Sequence, residues 1–196
     1  MNCRHVIAAL GVAVALALAG CMGADDSGDP GSANPESEVS VEEASEPLEG
    51  GSSELRELRA QANQLLGGGV AAFSERLDEL DGTPVVVNKW ASWCGPCRFE
   101  FPFFQAQAQE RGAEVAFLGI DSNDSEEAAA TFLKELPLPY PSYLDPDQEL
   151  ANEFLDNARE FPATGFYDSD GKLAYVHLGG YPDEETLAAD IDKYAQ

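Results

Sequence analysis

The chain has 196 residues with 44% hydrophobic content, enough to bury a core, so wholesale disorder is excluded. Eleven Lys and Arg stand against 36 Asp and Glu, a formal net charge of −25. Nucleic acid and electrostatic adsorption to anionic lipid are thereby excluded, because both need clustered cations; the acidity fits solubility or a salty medium.

In chain order, Arg4 and His5 precede Val6 to Ala19, an apolar run of fourteen residues. A basic start and a short apolar stretch have the form of a leader, too short to span a bilayer comfortably. The run ends Leu18-Ala19-Gly20-Cys21. This resembles the bacterial lipoprotein signal, which implies a signal peptide over 1–20 and an acylated Cys21 holding the protein on the outer face of a membrane. Residues 22–52 contain nine acids, no Lys or Arg, and many Gly, Ser and Pro. Such a stretch cannot bury enough apolar area to order itself. Residues 21–52 are therefore expected to be a lipidated cysteine and a disordered linker, with the folded domain over 53–196.

Leu55, Leu58, Ala62, Leu65 and Leu66 recur at helical spacing and stop at Gly67-Gly68-Gly69. Val70 to Leu80 is a second amphipathic stretch. After Pro84, the run Val85-Val86-Val87-Asn88-Lys89-Trp90 suits a central strand. A helix is expected from Cys94 to about Glu110, a strand over Glu114 to Asp121, and a helix from Ser125 to Leu136 behind a capping serine. Leu138 to Leu144 reads as extended and Pro146 to Phe154 as a short helix. Ala163 to Tyr167 and Lys172 to Leu178 read as strands joined by the turn Asp168-Ser169-Asp170-Gly171. Asp183 to Tyr194 closes the chain as an acidic helix. This order predicts an α/β fold with a mixed sheet and helices on both faces, with Cys94 just beyond the C-terminal end of a central strand, where open α/β sheets place ligands.

Of four cysteines, Cys94 and Cys97 form a C-x-x-C, whereas Cys3 and Cys21 flank the leader; nothing here is a disulfide framework. A helix start lowers the pKa of a thiol placed there, because unpaired N–H groups and the helix dipole favour the thiolate. Pro96 suits the first helical turn. Cys97, three residues on, can close a ring with Cys94, so a dithiol–disulfide couple that needs no cofactor is the favoured reading. A structural disulfide is one alternative. Zinc lacks ligands, since the mature chain offers two cysteines and the distant His177. Copper held by Cys94, Cys97 and His177 is the rival from another class, because thiolates bind Cu(I). A peroxidase is disfavoured because no isolated peroxidatic cysteine is present. Glu100 shares the helix face of Cys97, Phe101 and Phe104 and should lie beneath the site, where burial raises its pKa and lets it exchange a proton with Cys97. Pro102 falls inside the same helix.

The stretch Trp90-Ala91-Ser92-Trp93-Cys94-Gly95-Pro96-Cys97-Arg98-Phe99-Glu100-Phe101-Pro102 resembles the TlpA/ResA-like branch of the thioredoxin superfamily. The resemblance covers about Val70 to Tyr194. It implies a thioredoxin-like fold with an α/β insert between Asp121 and Pro162, and extracytoplasmic, membrane-anchored thiol–disulfide oxidoreductase activity. It also implies protein thiols and disulfides as substrates, re-reduction by a membrane electron donor, and for some members service in cytochrome c maturation; an oxidase or isomerase role stays open. Pro162, in Pro162-Ala163-Thr164, matches the family's cis-proline, so Trp93, Gly95, Pro96, Phe161 and Pro162 are the implied substrate-binding surface. Asn88 stands where thioredoxin has a buried Asp, which passes the acid role to Glu100. Lys89 stands where an apolar residue is usual, and the sequence supplies no reason for it.

Overall fold

The β-branched run after Pro84 forms the middle of the sheet. In the computed structural model, which describes residues 39–196, β2 (Val85–Trp90) is buried at every position, as is β3 (Ala116–Ser122) beside it. A strand covered on both faces must be apolar throughout rather than alternating, which is what Val85 to Val87 supply. β2 pairs in parallel with β3, with Val85 opposite Ala116 and Trp90 opposite Asp121, and antiparallel with β5 (Ala163–Tyr167), with Lys89 opposite Ala163. β4 (Ser142–Asp145) lies outside β3, and β6 (Leu173–Leu178) outside β5. With the two-residue β1 (Leu65–Leu66), the order is β1-β4-β3-β2-β5-β6.

Helices cover both faces. On one, α4 (Gly95–Arg111), α5 (Glu126–Glu135) and α7 (Glu184–Tyr194) bury Phe101, Phe104, Phe132, Leu187 and Ile191 against Val86, Trp90 and Phe166. On the other, α2 (Ser53–Arg59), α3 (Gly69–Glu79) and α6 (Glu149–Phe154) bury Leu55, Leu58, Phe73 and Leu150 against Val85, Val87 and Leu118. The mixed α/β architecture expected from the sequence is the one observed. Ser125 caps α5 by accepting from the Ala128 N–H, and Asp183 caps α7 in the same way from Thr186. Among the described residues no helix is long and apolar enough to cross a membrane.

Two expectations are corrected. Leu65 and Leu66 do not extend the first helix: they pair in parallel with Ser142 and Tyr143. Asn63 makes the change of direction. It adopts φ 59°, its amide donates to the Leu133 carbonyl, and its side-chain oxygen accepts from the Leu138 N–H. This stitches the chain to the segment ahead of β4, where ladder bonds replace helical ones. The expected linker also ends sooner than residue 52. Val41–Ala44 forms one turn, α1, closed by reciprocal bonds between Ser40 and Glu43, with Ala44 fully buried. Leu48 then packs against the Leu55 and Leu58 cluster, and Arg59 donates to the carbonyls of Glu46 and Pro139. Two apolar side chains and one bridging guanidinium are what the acid count concealed. The leader 1–20, Cys21 and the remainder of the expected linker lie outside the described residues.

Gly119 of β3 marks where the sheet admits no side chain. A Cβ there would sit 2.1 Å from the Ser142 Oγ and 3.0 Å from the Trp90 Nε1, atoms now joined by a 3.1 Å hydrogen bond. Gly119→Ala is expected to break that bond and cost about 1–3 kcal/mol by overpacking, read as a lower urea midpoint at unchanged slope.

Candidate active site

Trp90 ends β2, and α4 begins five residues later. Cys94 is its N-cap, in extended conformation (φ −87°, ψ 105°), and its Sγ accepts from the Cys97 N–H at 3.1 Å. Pro96 lies in the first turn, where its missing N–H costs no bond. Cys94 and Cys97 form a disulfide, with Cα atoms 5.3 Å apart. Only the edge of Cys94 reaches solvent; Cys97 is fully buried. Once reduced, a thiolate at Cys94 would meet the free N–H groups of a helix 17 residues long.

The loop before Cys94 is fixed from the side. The Ser92 N–H donates to the Asp124 carboxylate, and the Trp93 indole N–H donates to the Asn123 carbonyl at 2.9 Å. Trp93 is nonetheless 56% exposed, and its ring centroid lies 4.8 Å from that of Phe161. The Phe161–Pro162 bond is cis, and the Pro162 carbonyl accepts from the Gly179 N–H. Gly180 ties the parts together, since a Cβ built on it would lie 3.5 Å from Pro96, 3.7 Å from Pro162 and 3.7 Å from the Glu100 Oε2. The residues singled out from the sequence thus converge: Trp93, Gly95, Pro96, Phe161 and Pro162 surround the cysteines, and Glu100 lies beneath.

Glu100 is fully buried. Its Oε1 accepts from the Asn88 amide at 3.1 Å and its Oε2 from the Tyr181 N–H at 3.0 Å. Burial pushes its carboxyl up to about 8, against the pull of those two bonds. At neutral pH it therefore holds a proton. His177 goes elsewhere: its ring stacks on Tyr181 at 4.1 Å, and its Nδ1 lies 3.5 Å from the Asp190 carboxylate. The trio Cys94, Cys97 and His177 is not gathered into a metal site, and among the described residues no three His, Cys, Asp or Glu side chains are.

Three residues escaped the sequence reading. Tyr181 orients Glu100 through its backbone, and a backbone role leaves no compositional trace. Asp121, next to last in β3, is buried with neither carboxylate oxygen hydrogen-bonded. Burial first, then Asp124 and Asp145, push it up to about 8. An acid ending an apolar strand run was its available signal. Lys89, unexplained from sequence, is wholly buried and donates to the carbonyls of Ala158 and Glu160.

A disulfide capping a helix at the end of a central strand, with a cis-proline beside the first helical turn, is set on a thioredoxin-like fold. The chain belongs to the Redoxin family, which it matches over residues 74–191. It is 30% identical over 107 residues to the thiol-disulfide oxidoreductase ResA of Oceanobacillus iheyensis, covering 53% of this chain and 54% of that protein. It is 28% identical over 104 residues to ResA of Bacillus subtilis, covering 53% of this chain and 57% of that one. The chain thus spans little more than half the length of these relatives. Among solved structures it is similar to the exposed lipoprotein thioredoxin Etrx1 of Streptococcus pneumoniae, with a TM-score of 0.52 and 25% identity over 60% of this chain and 89% of that one. A DsbF homologue from Corynebacterium diphtheriae is similar too, with a TM-score of 0.51 and 27% identity over 60% of this chain and 75% of that one.

Proposed function

We propose that this protein is a thiol–disulfide oxidoreductase that reduces protein disulfides outside the cytoplasm. The observation that carries the reading is the Cys94–Cys97 disulfide at the N-cap of α4, with Glu100 buried below it and the Phe161–Pro162 turn beside it. In the reduced enzyme, the Cys94 thiolate attacks a substrate disulfide, forming a mixed disulfide and expelling one substrate thiolate, which takes a proton from solvent. Cys97, losing its proton to ionised Glu100, attacks the Cys94 sulfur and releases the second substrate sulfur as a thiolate, which also takes a proton from solvent. The substrate gains two electrons and the dithiol loses two. Re-reduction reverses the roles: a donor thiolate attacks the disulfide at Cys94, and protonated Glu100 supplies the proton to departing Cys97; a second donor thiolate then attacks the donor sulfur of that mixed disulfide, forming the donor's disulfide and freeing Cys94 as the thiolate. With its carboxyl pushed up to about 8 by burial, Glu100 is placed to take a proton from Cys97 in one direction and return it in the other.

The relatives' names support the chemistry. The electron donor is, on this reading, a membrane protein, and service in cytochrome c maturation is the narrower form of the proposal. Attachment is through lipid on Cys21, in keeping with a similar structure described as a lipoprotein. The test is insulin reduction driven by dithiothreitol, with the Cys94–Cys97 potential measured in glutathione buffers. Disulfide turnover together with a measurable couple is expected; the absence of both would end the reading. Cys21→Ser is expected to give soluble protein or an uncleaved precursor, and membrane-bound protein cleaved to its mature size would refute the lipid anchor.

A further inference from the structure

Lys89 is the charged residue of β2, and burying an ammonium is costly unless it is well partnered. Its side chain leaves β2 on the face opposite Asn88 and is wholly out of solvent. The Nζ donates to the Ala158 carbonyl at 2.9 Å and the Glu160 carbonyl at 3.3 Å, and it lies 3.8 Å from the centroid of the Phe161 ring. Burial lowers the lysine's pKa, and attraction to Asp145 and Glu160 opposes the shift.

All three partners lie in the stretch that delivers Pro162 to the site. Between α6 and β5 this stretch has no helix or strand, and it turns through Asp156 and Asn157 at φ 52° and 57°. A compact ammonium with three donors can hold two carbonyls and an aromatic face at once. The face it holds belongs to the ring that meets Trp93 beside Cys94. The contacts run in series from inside the sheet to the surface a substrate would touch: Lys89, Phe161, Trp93.

We propose that Lys89 is a positioning residue for substrate recognition, holding the Phe161–Pro162 turn from within the sheet at the spacing from Cys94 that a polypeptide disulfide requires. This rests on the oxidoreductase reading and adds to it that the buried cation governs affinity for protein substrates rather than the reactivity of the sulfur. Lys89→Met keeps the length and the apolar stem while removing the charge and the donors. With insulin as substrate, its KM is expected to rise roughly tenfold, the scale of ordering a loosened side chain on binding, while kcat holds. Alkylation of reduced Cys94 by iodoacetamide is expected to match wild type, and amide hydrogen exchange over 159–161 to quicken. Unchanged KM and unchanged exchange would overturn the proposal. So would alkylation, turnover and melting temperature all falling together, which marks a merely structural role. Should Lys89→Met fail to fold, Lys89→Gln keeps a neutral donor and removes the charge, and the same rise in KM at unchanged alkylation is required of it. If wild type shows no disulfide turnover, the oxidoreductase reading falls, and exchange over 159–161 alone decides whether Lys89 holds the turn.

Discussion

Cys94→Ser is expected to bring insulin reduction to background, whereas Cys97→Ser is expected to accumulate a covalent adduct with substrate that reducing agent releases. The asymmetry follows from position. Cys94 caps α4 and reaches solvent at its edge, so its sulfur both faces a substrate and lies at the positive end of the helix. Serine in its place has a hydroxyl that stays protonated at neutral pH, and no mixed disulfide can form. Cys97 is wholly buried, so the sulfur it can reach is that of Cys94 itself, with which it closes the disulfide. Without it the first displacement proceeds and the second does not, leaving substrate tethered. Non-reducing electrophoresis after acid quench reads both outcomes. Turnover retained by Cys94→Ser would refute the mechanism, and equal trapping at either position would mean that the two sulfurs are interchangeable.

Glu100→Gln is expected to lower kcat by roughly 10²- to 10⁴-fold, the usual contribution of a positioned acid–base group, and to flatten the pH dependence of stability. The second effect has a definite sign. Glu100 and Asp121 are pushed up to about 8 in the folded chain, from ordinary values of 4.5 and 3.8. Between those limits the folded state keeps protons that the unfolded state has released. The stabilisation is complete below the unfolded values and drains as pH rises through about 8, by up to about 1.4 kcal/mol per pH unit for each carboxyl. Glutamine carries no titrating proton and can still accept from Tyr181, and Asn88 has an unpaired side-chain oxygen available to take the new amide. Urea midpoints at pH 5, 7 and 9 should therefore fall less steeply in Glu100→Gln than in wild type, with Asp121→Asn removing a comparable share of the slope. A wild-type midpoint that does not decline between pH 5 and 9 would contradict both burial-raised carboxyls.

The site was readable from sequence where chemistry and helical spacing coincide. Cys94, Pro96, Cys97 and Glu100 fall within seven residues, and one helix fixes their relations, so the pattern carried the geometry. Burial of Glu100 followed from its sharing a face with Phe101 and Phe104. The strands Val85–Trp90 and Ala163–Tyr167 were equally plain, since β-branched or aromatic runs bounded by turn residues have few other uses. Illegible parts depended on partners distant in the chain. Leu65 and Leu66 kept helical spacing but were claimed by β4, some 77 residues later. Tyr181 acts through a backbone N–H, which no side chain announces. Lys89 offered only an anomaly, because its meaning lies in carbonyls 69 and 71 positions further on.

Asn88 and Lys89 are consecutive residues in one buried strand, and their side chains therefore depart in opposite directions. A slip of β2 by a single residue against β3 and β5 would exchange them. The ammonium would then face Glu100 and ionise it, erasing the proton reservoir under Cys97, while the amide would inherit the Phe161 turn without a charge to grip it. Proton supply and substrate grip are thus wired to one alignment, and a misthreaded sheet forfeits both functions together even with every reactive residue still in the chain.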